Sequence, residues 1–174
     1  MPIVLKKIYK IVGDFTKEEV EILKSLIDEF RLRMADDNPE LNILNKKALK
    51  YTDDNIVKLV MSTLNDINGG FPSTNYSLSY VYNSIDNSLL LEGAMVFALL
   101  REGILQVNNQ IDFNDSGLSI GMFNKTQIYQ SWYGTLLQQY LQDKTEVKRA
   151  AIPNSATAGF YGIDTEFGYR YHYY

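Results

Sequence analysis

The chain has 174 residues, 45% of them apolar and 22% charged, a balance that fits one folded domain with arms. Lys and Arg number 17 against 21 Asp and Glu, a net charge of −4, which argues against electrostatic binding of DNA or RNA as the main task because such binding needs clustered positive charge. There is no cysteine, so disulfides, thiolate metal sites and cysteine nucleophiles are excluded.

Residues 1–15 read as an N-terminal arm or edge strand. PIVLKKIYKIV mixes β-branched and basic residues, and Gly13-Asp14 ends it. Its apolar start is too short for a signal peptide. Thr16-Lys17-Glu18-Glu19 is a capping box, in which the Thr hydroxyl accepts from a first-turn N–H while Glu19 reaches back. Val20, Leu23, Ile27, Phe30 and Met34 then recur at steps of three and four. Glu18, Glu21, Lys24, Asp28, Arg31 and Arg33 fill the other side, so the spacing predicts an amphipathic helix with a solvated face. Asp36-Asp37-Asn38-Pro39 stops it. Residues 40–51 read as a short helix or a loop. Thr52 or Asp53 opens a second helix, striped by Ile56, Val57, Val60, Met61, Leu64 and Ile67 and closed by Asn68-Gly69-Gly70.

Residues 71–85 are turn-rich and then alternating, with Tyr76, Leu78, Tyr80 and Tyr82 at period two, which predicts an extended segment. Asp86 or Ser88 caps a third helix. Over residues 89–105 nearly every side chain except Glu92, Arg101 and Glu102 is apolar, the mark of a buried central helix. Gly93, Ala94 and Ala98 let a neighbour approach it closely. Its apolar run is shorter than the roughly 20 residues a bilayer requires, so no membrane partner is expected.

Residues 106–121, QVNNQIDFNDSGLSIG, predict a β-hairpin with a structural turn at Asn114, Asp115 and Gly117. Setting Phe113 opposite Leu118 and Ile111 opposite Ile120 gives it one apolar face, which the third and fourth helices would cover. The fourth helix runs over about residues 125–149 behind a capping pair, Asn124 and Gln127. Ile128, Tyr129, Trp132, Tyr133, Leu136, Leu137, Tyr140 and Leu141 form a broad stripe. Gln127, Gln130, Gln138, Gln139 and Gln142 make the other face neutral. Such a face can bond a partner without desolvating a charge, although glutamine as a good helix former is the plainer reading. The expected fold is mostly α. About four helices form a bundle-like core over residues 16–149, with one hairpin between helices three and four and extended arms at 1–15 and 150–174.

No chemistry assembles itself along this chain. His172 has no Ser or Asp constellation pointing at it, and one histidine without cysteine makes a transition-metal site unexpected. The pairs Asp36/Asp37, Asp53/Asp54 and Asp112/Asp115 lack EF-hand spacing, and helix ends and the turn account for them. No phosphate-cradling glycine loop is present. No catalytic, cofactor-binding or metal residue is assigned, and an enzyme is not expected. The tail is different. Seven aromatic residues fall in the last sixteen positions, where a free tail would be poor in them. Phe160, Tyr161, Phe167, Tyr169, Arg170, Tyr171, Tyr173 and Tyr174 have the composition of an interface core and are the predicted protein–protein contact. They either fold back over the chain's own hairpin and fourth helix or dock on a neighbour.

The run SLLLEGAMVFALLREGILQ, then IDFNDSGLSIG, then a long helix ending KTEVKRA, resembles virion structural proteins of tailed bacteriophages. Specifically it resembles neck or head-to-tail connector proteins, in which a buried LLxGA helix precedes a DxGLS hairpin and another helix. Leu89-Leu90-Leu91-Glu92-Gly93-Ala94 and Asp115-Ser116-Gly117-Leu118-Ser119 carry the likeness, within residues 86–149. The resemblance implies a non-catalytic ring of copies in the virion, assembled in the host cytoplasm and joining portal or adaptor to tail proteins. DNA would pass through without sequence-specific binding. A tail-completion, tail-tube or minor capsid protein is the alternative within that class. A small helical binding domain or hydrolase is the alternative outside it.

Overall fold

A computed structural model describes residues 9–41, 48–108, 114–115, 118–119 and 126–152 of the chain. Helix α1, Lys17–Arg33, begins at the capping box. The Glu19 backbone N–H donates to Thr16 Oγ1 at 3.3 Å, and Glu19 Oε2 accepts from the Thr16 backbone N–H at 2.9 Å. It buries Ile22, Leu23, Leu26, Ile27 and Phe30. A 3-10 turn, Pro39–Leu41, follows. Helix α2, Asp53–Asn68, is capped by Thr52, whose hydroxyl accepts from the Asn55 N–H at 3.3 Å. It turns Ile56, Val57, Val60, Leu64 and Ile67 into the core.

The extended segment expected over residues 71–85 is corrected. Helix α3, Leu78–Tyr80, runs directly into a π-helical turn, Val81–Ile85. Leu78 and Val81, three apart, are the buried pair, whereas Tyr80 is half exposed. The period-two pattern of tyrosines was therefore not the pattern that packing used. Ser77 accepts from the Tyr80 N–H at 3.2 Å to start the helix, and the Tyr82 hydroxyl donates to Ser25 on α1 at 3.2 Å to hold it down.

Helix α4, Asn87–Asn108, and helix α5, Thr126–Ala150, complete the fold. α4 is the central element: α5 packs along it, α2 and α1 pack on its other sides, and the Val81–Ile85 turn adjoins its start. Leu89, Leu90, Leu91, Ala94, Val96, Ala98 and Leu99 are buried there, so α4 joins every layer of the core.

The hairpin expected between the third and fourth long helices is also corrected. Backbone at 106–108, assigned to its first strand, is the last turn of α4. Among the described residues strand pairing covers two residues a side, β1 Asn114–Asp115 against β2 Leu118–Ser119. Asp115, not Phe113, stands opposite Leu118, so the expected pairing of Phe113 with Leu118 is not the register, and Ile111 and Ile120 lie outside the described residues. A ladder of this size cannot support the helices around it. The described fold is mostly helical, and α4 organises it. Residues 9–12 of the N-terminal arm are not a strand. They lie against α1 and α2, where the Tyr9 hydroxyl donates to Asp28 at 2.5 Å and the Lys10 N–H to Asp53 at 2.8 Å.

Candidate functional site

The tightest place in the fold is where α2, α4 and α5 meet. A Cβ on Gly93 would overlap Thr63 Cγ2 and come within 2.8 Å of Tyr140 Cε2. Only glycine lets the three helices approach this far. Gly93→Ala is expected to lower stability by about 1–3 kcal/mol through overpacking, read as a shift of the urea midpoint. Adding Thr63→Ser, which removes the colliding methyl and keeps the hydroxyl bonded to the Leu59 carbonyl at 3.0 Å, should restore part of it. A double variant no better than Gly93→Ala would show that the Thr63 methyl is not the obstacle.

Beside Gly93 the seam is polar. Tyr140 donates to Asp66 at 2.6 Å and Lys144 to the same oxygen at 2.8 Å. Burial alone would raise the Asp66 carboxyl, but the hydrogen bonds from Lys144 and Tyr140 hold it below the usual carboxylate range. Burial, then the bonded Asp66 carboxylate, pushes the Tyr140 phenol well up. One turn on, Lys148 is buried and donates to Pro72 O at 2.8 Å, Thr74 Oγ1 at 3.2 Å and Asn68 O at 3.3 Å. Burial lowers its ammonium, Lys144 adds to this, and Asp66 opposes it. A lysine with a lowered pKa can be a nucleophile or base. Here its three N–H groups all serve the end of α2 and the loop after it, so it acts as a clamp. Asn68 closes that loop: its side chain donates to Tyr76 O at 2.9 Å and accepts from the Tyr76 N–H at 2.8 Å.

Glu92 stands on the other side of Gly93, only 6% exposed. Its Oε1 accepts from Gln139 Nε2 at 2.9 Å, whereas Oε2 lacks a hydrogen-bond partner. Burial, then the Asp143 carboxyl beside it on α5, raises Glu92 to about 7. A carboxyl raised this far can work as a general acid, but this one is enclosed by the helices it joins.

A second buried polar centre escaped the sequence reading. Arg31, placed there on a solvated face, is buried, with Nη2 2.7 Å from Asp53 and Nη1 3.6 Å from Asp36. Asp36 in turn accepts from the backbone N–H of Lys50 at 2.6 Å and of Tyr51 at 2.9 Å. The two aspartates explained as helix-end residues are thus joined through one guanidinium. The signal was present: Arg31 follows Leu23 and Ile27 at steps of four, on the stripe rather than opposite it.

Contacts at two levels fix how α5 lies on α4. Gln139 meets Glu92, and ten residues on along α4 the Lys50 ammonium lies 3.0 Å from Glu102 and over the Tyr129 ring. The helices are therefore antiparallel, with Ile128 and Trp132 level with residues 99–103. That end is open. Trp132 is 57% exposed, Ile104 54% and Ile128 51%, and Leu100 and Leu105 are also exposed. Ile128, Trp132 and Leu141 were assigned to the buried stripe, and the structure leaves all three exposed. Gln127, Gln130, Gln138, Gln139 and Gln142 are exposed as well, and Gln139 also bonds Glu92. Over residues 127–142 the exposed side of α5 consequently carries no charge. Of the other residues singled out, Asn114 and Asp115 lie in β1. Gly117 and the aromatic set from Phe160 to Tyr174 lie outside the described residues, as does His172.

Comparison with known protein families, with curated proteins and with solved structures returns no match. Among the described residues no group of three His, Asp or Glu could hold a metal ion, and no helix is long and apolar enough to cross a membrane.

Proposed function

We propose that this chain is a non-catalytic structural subunit of a tailed-bacteriophage virion, forming a ring at the head–tail junction between portal or adaptor and tail proteins. The observation that carries an assembly role is the open end of the α4–α5 pair. Ile104, Ile128 and Trp132 are each more than half exposed there, although α4 is largely buried from Leu89 to Leu99. Large apolar side chains grouped at one end of a fold mark a surface that another protein covers. The uncharged outer side of α5 extends that surface without the desolvation cost of charged groups. The placement in the neck rests on the LLLEGA and DSGLS motifs, and the alternatives of tail-completion, tail-tube or minor capsid protein share the same surface requirement.

The native mass tests this reading. Sedimentation of the full chain at high concentration, alone and with purified portal and tail proteins, is expected to give a particle several times the mass of one 20.0 kDa chain. A mass of one chain under every one of these conditions would rule out the ring.

A further inference from the structure

We propose that the open end of the α4–α5 pair is the acceptor for the aromatic C-terminal segment, residues 153–174, of a second copy of this chain. The inference rests on the assembly role above and assigns the joint between copies. Four side chains form the acceptor, as two pairs at helical spacing. Leu100 and Ile104 lie four apart on α4, and Ile128 and Trp132 four apart on α5. In the single chain all four are open to solvent.

The donor leaves the fold at the opposite end. α5 carries the backbone from the level of Trp132 to Ile152, about 30 Å at 1.5 Å per residue. Lys148, clamped to the loop after α2, fixes where it emerges. The segment that follows can span at most about 70 Å when extended, enough to reach the far end of an adjoining copy. Its chemistry suits the acceptor. Phe160, Tyr161, Phe167, Tyr169, Tyr171, Tyr173 and Tyr174 offer large, few-rotor rings to an apolar surface. Arg101, exposed beside Leu100, sets a positive charge at the acceptor, and Asp164 and Glu166 against the single Arg170 leave the segment with an acidic excess. A donor at one end and an acceptor at the other join copies head to tail. Such a heterologous contact closes into a ring or continues as a filament.

Complementation tests the joint. One full-length chain carries Trp132→Glu and keeps only the donor. A second carries Phe167→Ser, Tyr169→Ser and Tyr171→Ser and keeps only the acceptor. Far-UV circular dichroism checks that both retain the helical content of the parent. Each alone is expected to sediment as a single chain. An equimolar mixture is expected to double in mass and stop there, because a mixed pair has one working joint and no second. A mixture that stays at the mass of one chain overturns the proposal, and this is also the result if the segment docks on its own fold. If the parent assembles and both variants assemble equally well, this joint is wrong and the assembly role stands. If the parent itself stays a single chain with and without portal and tail proteins, both fall.

Discussion

Arg31→Ala is expected to lower the unfolding free energy by about 3 kcal/mol, the low end of the cost of breaking a buried ion pair. The guanidinium lies 3.6 Å from Asp36 and reaches Asp53 at 2.7 Å. Removing it takes one shared cation from two carboxylates at the junction of α1 and α2. Neither is left bare. Asp36 keeps the N–H donors of Lys50 and Tyr51, and Asp53 keeps that of Lys10 as well as its place in the first turn of α2. Those remaining bonds set the value near 3 rather than 5 kcal/mol. Arg31→Lys keeps the charge and loses the fork, so it should cost less than alanine. Arg31→Met keeps the packing of the stem and still removes the shared cation, so it should cost nearly as much as alanine. Urea unfolding with an unchanged slope reads the difference. A loss below about 1 kcal/mol for Arg31→Ala would mean that the other partners of the two carboxylates satisfy them without the guanidinium.

Local rules were strongest where a single short motif decides. Thr16 with Glu19, and Thr52, begin α1 and α2 because a cap needs only its own first turn. Residues 89–105 read as the central helix because apolar side chains on nearly all faces leave no exposed alternative. The rules failed where two patterns coexist. Tyr76, Leu78, Tyr80 and Tyr82 alternate, yet Leu78 and Val81 also stand three apart, and burial chose the helical pair. At residues 106–121 alternation and a turn signal predicted strands, but Gln106 and Val107 continue α4. The polar centres were hidden for another reason. Arg31, Asp36 and Asp53 are 22 residues apart at most, and Glu92 and Asp143 are further still. A sequence read window by window cannot pair them. The open end was misread because a stripe of apolar residues says which side could be buried, not how far along α5 the partner reaches.

Glu92→Gln is expected to stabilise the fold by up to about 3 kcal/mol at pH 8 and to leave it nearly unchanged at pH 4. Glu92 has an ordinary carboxyl value of 4.5 and is raised to about 7 in the folded chain, first by burial and then by Asp143. Between these values the folded chain holds a proton that the unfolded chain has released. Unfolding therefore releases that proton, and stability falls as pH rises. The contribution is fully present below 4.5 and is lost as pH climbs through about 7, at about 1.4 kcal/mol per unit. The structure shows why the proton belongs there. Asp143 and Asp86 are acidic neighbours, Arg33 opposes them less strongly than burial and Asp143 act, and Oε2 has no hydrogen-bond donor. A glutamine amide would put a permanent N–H where the proton sits and keep an oxygen for Gln139. The Asp66 carboxyl has the opposite sign: held below its usual range by Lys144 and Tyr140, it contributes stability above that range that is lost as pH falls. The two slopes predict a stability maximum in mildly acid solution. Glu92→Gln should remove the decline on the alkaline side and leave the acid side as it is. Urea midpoints from pH 4 to pH 8 that run parallel for parent and variant would show that Glu92 titrates alike in the folded and the unfolded chain, and that burial does not raise it.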